Sequence, residues 1–221
     1  MMRYYLRCVL AVLGKDITCE LRARHALGAI LLFAVTSTIA VSFTLSGWGS
    51  KSEVASALLW IVLYFSAMSG LGRSFVHEEE MRTAALLKFS TRPNSVYLGK
   101  LAFNWMLLLC VQIVTVPLFV MLMGCRVDHW GAFIALLLVG SFALSAGATM
   151  AAAMVARASV KGALFAVISF PLLVPVLASA IHGTGLAMSG HSAASDIRLL
   201  TYYSGTVITA SLMLFKFIWE D

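Results

Sequence analysis

The sequence predicts an all-α membrane protein with six transmembrane helices, and three observations carry that prediction. Of the 221 residues 61% are apolar and only 12% charged, with a mean hydropathy of +0.92. Soluble domains run nearer half apolar and a quarter charged. Six stretches meet or approach the roughly 20 apolar residues that a helix needs to cross the hydrocarbon core: 27–45, 54–72, 101–124, 130–156, 162–181 and 199–215, none containing Asp, Glu, Lys or Arg. Finally, thirteen Lys and Arg lie before span one, after spans two and four and in the C-terminal tail, against Lys51, Arg126 and Arg198 in the alternate loops. That asymmetry puts both termini in the cytoplasm. At this length residues 1–221 form a single transmembrane domain, with little room for a soluble module.

The elements follow in order. Before span one, Leu6, Leu10, Leu13, Ile17 and Leu21 share one helical face, with Lys15 and Arg22 opposite. This is an amphipathic helix for the cytoplasmic surface of the bilayer, either a basic anchor or an elbow that braces a transporter. Its short apolar run is interrupted by Lys15 and Asp16 and lacks a cleavage site, so the segment is expected to be retained. Span four is rich in small residues from Gly140 to Ala153, which allow close helix packing within one subunit or across a homodimer. Span five carries Pro171 and Pro175, which predict a kink or break. Trp48, Trp130, Tyr202 and Tyr203 belong at the outer interface, Trp105 and Trp219 at the inner one.

Several function classes are excluded or weakened. The formal charge of +6 reflects orientation and anionic lipid, not nucleic acid. Spans without an ionisable residue argue against ion-coupled carriers and proton pumps. Cys8, Cys19, Cys110 and Cys125 make no CxxC and no disulfide framework. Gly14-Lys15 and Gly99-Lys100 lack the rest of a phosphate loop and there is no HExxH, so no Walker site and no metal or cofactor motif belongs to the chain. His129, His182 and His191 fall on the outer side, where a histidine could ligate heme, although their spacing does not specify it. On span three, Asn104, Gln112 and Thr115 gather on one side. They either bond a neighbouring helix or line a substrate path with Pro171 and Pro175.

The most informative stretch is 73–100, where Arg73, Glu78, Glu79, Glu80, Arg82, Lys88, Arg92 and Lys100 stand between two membrane spans. Glu78 and Arg82 are four apart, a favourable helical pair, and Pro93 stops that helix. Met81, Ala84, Ala85, Leu87 and Phe89 supply apolar contacts. Such a segment is either a solvated loop or a coupling helix that docks into a cleft on a nucleotide-binding subunit.

Three stretches then resemble the heme exporter protein B (CcmB) family of membrane subunits. They are LGKDITCELRARHAL before span one, LLWIVLYFSAMSGLGRSF with Trp60, Arg73 and Phe75, and EEEMRTAALLKFSTRPNSVYLGKLAFN with its acidic cluster, Thr83, Leu86, Leu87, Pro93 and Gly99-Lys100. Arg82 departs from the Gly that members often carry before the Thr, and alanine replaces an acidic residue shortly after it. The resemblance implies an ABC-2-like permease of the bacterial inner membrane, without catalysis of its own, in c-type cytochrome biogenesis. It implies a CcmA-like cytoplasmic ATPase that binds the ATP, CcmC-like and CcmD-like membrane subunits, a CcmE-like heme chaperone, and a homodimer within the complex. Heme is then cargo rather than cofactor. The implied ATPase-coupling residues are Arg73, Phe75, Glu78, Glu79, Glu80, Arg82, Thr83, Leu86 and Leu87. A permease for lipid or polysaccharide, and a heme-handling lyase using the three outer histidines, are the competing readings.

Overall fold

A computed structural model describes residues 2–23, 25–45, 52–71, 75, 93–156 and 161–220, and every regular element among them is a helix. These are α1 (Met2–Ala23), α2 (His25–Leu45), α3 (Ser52–Leu71), α4 (Pro93–Met123), α5 (Trp130–Val155), α6 (Lys161–Met188) and α7 (Ala194–Glu220). The chain is thus an all-α membrane protein. Four helices are long and apolar enough to cross a bilayer: α3, α4, α5 and the Leu164–Met188 part of α6. The bent pair α1–α2, whose arms meet at 72°, makes a fifth when taken as one span. Helix α7 is 27 residues long. Its apolar run is thinned by Thr201, Tyr202, Tyr203, Ser204, Thr206 and Thr209, and it falls short on composition.

Two helices outrun their apolar windows. Helix α4 starts at Pro93, eight residues before the expected span, and Pro is well suited to a first helical position because its missing N–H had no partner there. At 31 residues α4 is about 47 Å long, against about 30 Å of hydrocarbon, so its first two turns extend past the core. It ends at Gly124, whose φ of +60° is the left-handed conformation that closes helices. Helix α6 continues through Pro171 and Pro175 to Met188, so of the expected kink or break the break does not occur. In the stretch between the prolines, the Tyr203 hydroxyl of α7 donates to the Leu172 carbonyl, and beyond it Ser179 Oγ donates to the Pro175 carbonyl at 3.0 Å. These two hydroxyls bond carbonyls near, but not identical with, the ones that the prolines deprive of a helical donor, those of Val167 and Pro171.

Helix α5 is the packed centre. Its small residues are buried within the chain, so that face serves internal packing. The Trp60 indole of α3 lies against Gly140, where an added Cβ would meet the ring at 2.3 Å, and its Nε1–H donates to Thr184 of α6 at 2.9 Å. Gly147 gives the same close approach to Leu173. Along α4, Asn104 donates to Thr149 Oγ1 at 2.8 Å, Gln112 to the Leu137 carbonyl at 3.3 Å and Tyr97 to the Ala146 carbonyl at 3.3 Å. The Trp105 indole N–H donates to Ser141 Oγ, midway along α5, at 3.2 Å. In a medium without water each of these groups needs such a partner.

Candidate functional site

Described residues from the three stretches singled out by sequence, Asp16, Phe75 and Lys100, meet at one end of the bundle, where α4 begins and α7 finishes. The centre is Lys100, which is 1% exposed. Lysine is almost never buried unless paired. Its Nζ lies 3.5 Å from Asp16 Oδ2 of α1 and 4.8 Å from the ring centroid of Phe75. The ammonium is therefore held by a carboxylate and by the negative face of an aromatic ring. Asp16 Oδ1 faces Lys15 Nζ at 3.2 Å.

Around this charge the packing is tight. Gly99, beside Lys100, has Val12 of α1 where its own Cβ would stand, at 2.8 Å, so α1 sits directly on the α4 backbone. The rings of Phe75 and Tyr97 lie 5.7 and 5.5 Å from that of Phe215 on α7. One small cluster thus joins the N-terminal helix, the residue that opens the charged segment, the helix that closes it and the last helix. Helix α1 serves it with a second face. Val12 and Asp16 are buried against α4, whereas Leu6, Leu10 and Leu21 of the expected apolar face remain 55%, 61% and 66% exposed. That outward apolar stripe suits the bilayer interface.

Of the expected coupling residues only Phe75 lies within the described part, and it is buried in this cluster. Arg73, Glu78, Glu79, Glu80, Arg82, Thr83, Leu86 and Leu87 lie outside the described residues, as does any helix between Phe75 and Pro93. The expected substrate-path residues are not gathered around one cavity. Asn104, Gln112 and Thr115 are buried, the two amides bonded to α5, while Pro171 and Pro175 are exposed on α6. Pro171 borders an apolar lateral groove of ≈ 530 Å³ between α5, α6 and α7, together with Met150, Leu172 and Tyr203.

At the opposite end, the three histidines expected on the outer side are held separately. Among the described residues no three His, Cys, Asp or Glu side chains converge as metal ligands. His182 Nδ1 lies 3.1 Å from Asp196 Oδ1, joining α6 to α7, and the backbone N–H groups of His129 and His191 donate to the carbonyls of Ala187 and Leu186. Among the described residues none of the four cysteines forms a disulfide.

Sequence reasoning missed Asp16, Lys100, Tyr97 and Phe215 as members of one site. The legible signal was Lys100 itself, a cation among Tyr97, Leu98 and Leu101 at the head of an apolar run, matched by an acidic residue interrupting the apolar run of α1.

Residues 7–218 match the family model described as CcmB protein. The chain is 26% identical over 208 residues to heme exporter protein B of Rhodobacter capsulatus, covering 93% of this chain and 94% of that protein. It is 26% identical over 210 residues to heme exporter protein B of Paracoccus denitrificans, covering 94% of each.

Proposed function

The chain belongs to the CcmB family, and from that premise we propose that it is the membrane subunit of a heme-exporting, ABC-type complex in c-type cytochrome biogenesis. It is a multi-pass protein of the bacterial inner membrane, with six spans when α2 and α7 each cross once, and with both termini cytoplasmic. It carries no catalysis of its own. A separate CcmA-like ATPase docks on the charged segment 73–92, with Glu78, Glu79, Glu80, Arg82, Thr83, Leu86 and Leu87 forming the contact. CcmC-like and CcmD-like subunits, a CcmE-like chaperone and a second copy of this chain complete the assembly.

The observation that carries the coupling reading is the junction at Lys100. A segment anchored at both ends in the bundle, through Phe75 and through α4, passes a push from a soluble partner directly to α1, α4 and α7. The cargo rests on the names of the relatives, which are heme exporters. Asn104 and Gln112 hydrogen-bond α5, which favours use of ATP to release a loaded heme chaperone over passage of heme along α4.

The test is co-purification of this chain with its ATPase subunit, followed by ATPase and cytochrome c maturation assays. Alone the chain should hydrolyse no ATP. Reversing the charges of Glu78, Glu79 and Glu80 should abolish both assembly and maturation. Intact assembly and maturation in that variant would remove the coupling assignment. Normal c-type cytochromes after deletion of the gene would instead favour a permease for lipid or polysaccharide.

A further inference from the structure

The lateral groove between α5, α6 and α7 has no part in the coupling reading, and its dimensions are specific. Along α7 its lining runs from Tyr203 to Leu214. Eleven residues of helix rise about 16 Å, close to the roughly 15 Å of hydrocarbon in one leaflet. A volume of ≈ 530 Å³, at roughly 30 Å³ for each water-sized methylene, takes a chain of about 15 to 20 carbons. The rim is apolar and faces away from the bundle: Met154 is 43% and Leu214 48% exposed, and Val167, beside the lining residue Ile168, is 68% exposed. The two ends differ. At one, the Tyr203 hydroxyl is committed to the Leu172 carbonyl. Toward the other, Ser211 Oγ is buried and has no hydrogen-bond partner among the described residues. It faces the Tyr97 hydroxyl, which donates to the Ala146 carbonyl instead. A buried hydroxyl without a partner in a mostly apolar wall calls for an acceptor. At this same end α5 stops at Val155 and α6 starts at Lys161, one turn before its apolar part begins at Leu164. In sequence the joining stretch, 157–161, carries Arg157 and Lys161 and no acidic residue.

We propose that the groove is a binding site for one anionic phospholipid of the inner leaflet. One acyl chain lies in the groove between Ser211 and Tyr203, and its ester carbonyl accepts from Ser211 Oγ. The phosphate stands at the end where α5 gives way to α6, the end to which the sequence assigns two cations. Arg157 and the Lys161 side chain lie outside the described residues, so their part is read from the sequence alone. The choice of leaflet rests on the topology proposed above, with α7 crossing once and the α5–α6 loop inside. Basic positions between membrane helices on the cytoplasmic side suit anionic headgroups. A second copy of this chain in the same orientation would bring the same two cations to this end and no anion to meet them. The lipid also has a place in the folded unit. Ser211 stands one turn before Phe215, whose ring packs on Phe75 and Tyr97, so a chain in the groove braces α7 beside the Lys100 junction.

The test is native mass spectrometry of the full-length chain in mild detergent, given equal amounts of phosphatidylglycerol and phosphatidylcholine with the same acyl chains. Wild type should retain one lipid per chain and prefer phosphatidylglycerol by about ten-fold or more, the effect of two cations near the headgroup. Ala210→Phe and Thr206→Phe fill the groove from exposed positions along its lining. Each should lower retention of both lipids by about ten-fold, the equivalent of two methylenes left unburied, with the unfolding temperature of the lipid-free chain unchanged. Ser211→Ala should lower retention of both by about five-fold, through the lost hydrogen bond. Lys161→Gln should instead reduce the preference for phosphatidylglycerol by about five-fold and leave phosphatidylcholine retention as it was. Unchanged retention in both filled-groove variants would overturn the site and leave annular lipid only. Equal retention of the two lipids by wild type would overturn the anionic assignment. No retained lipid in wild type, together with a disulfide between two copies of Ala210→Cys in membranes, would make the groove an interface between copies and overturn the proposal. A C-terminal reporter found outside the cell would remove the topology reading and with it the choice of leaflet, a failure that the retention assay does not share.

Discussion

The bundle centre and the Lys100 junction are both fully buried, yet they are held by opposite means. At the centre, Trp60 lies on Gly140 and donates to Thr184, a neutral contact in which shape does most of the work. At the junction, a charged ammonium is desolvated and then compensated by Asp16 and Phe75. Close packing has one arrangement, because a ring either fits over a glycine or does not. The centre is therefore held mainly by shape, and the junction by compensation of a buried charge.

The largest expected effect breaks the junction. Lys100→Ala leaves Asp16 with only its interfacial neighbour Lys15 and should cost about 4 kcal/mol, the penalty of orphaning a buried charge. The double variant Lys100→Met with Asp16→Leu removes both charges and should restore stability to within about 1 kcal/mol of wild type. Thermal unfolding in detergent would measure both. A double variant as damaged as the single one would show that the junction, like the centre, is held by its own specific contacts.

Next comes the centre. Gly140→Leu drives a side chain into the Trp60 ring and should cost about 3 kcal/mol, with no second substitution on the same helix able to relieve it. Gly131→Ala, on the same helix but with nothing near its Cβ position, should be neutral or slightly stabilising. Equal behaviour of the two glycines would mean that Trp60 does not occupy the Gly140 notch. Trp60→Phe keeps most of the ring but leaves Thr184 without its donor, and about 1–2 kcal/mol should be lost.

The same contrast explains what was legible in the sequence. The apolar windows located α3 and α5 to within two residues, because span length is fixed by the bilayer. They missed the first two turns of α4 and the C-terminal end of α6, since helices continue wherever the backbone allows and the bilayer sets only the apolar part. Small residues on span four announced close packing and the structure supplies its targets, Trp60 and Leu173. The junction was harder to see. Lys100 and Asp16 are 84 positions apart, and a list of charges does not say which of them face each other. Helix α1 was legible as amphipathic only toward the bilayer, because its second face is made of Val12 and Asp16, which share no hydrophobic pattern.

The smallest expected effect comes from a second polar contact between helices, His182 with Asp196. It resembles the junction in joining two helices through a buried carboxylate, but His182 is 68% exposed where Lys100 is 1%. Water already solvates the imidazole, so its removal orphans less. Asp196 also stands in the first turn of α7, where the helix dipole favours negative charge, and Ser195 Oγ lies 3.4 Å from its Oδ2. His182→Ala should therefore cost about 0.5 kcal/mol, in the range of exposed pairs, and leave ATPase coupling unchanged. Asp196→Ala should cost more, because Gly183 packs against the Asp196 side chain, and truncation opens a gap at the α6–α7 contact. If His182→Ala destabilised the chain as much as Lys100→Ala, burial of the cation would not be what separates the two pairs, and the junction would lose its claim to be the special one.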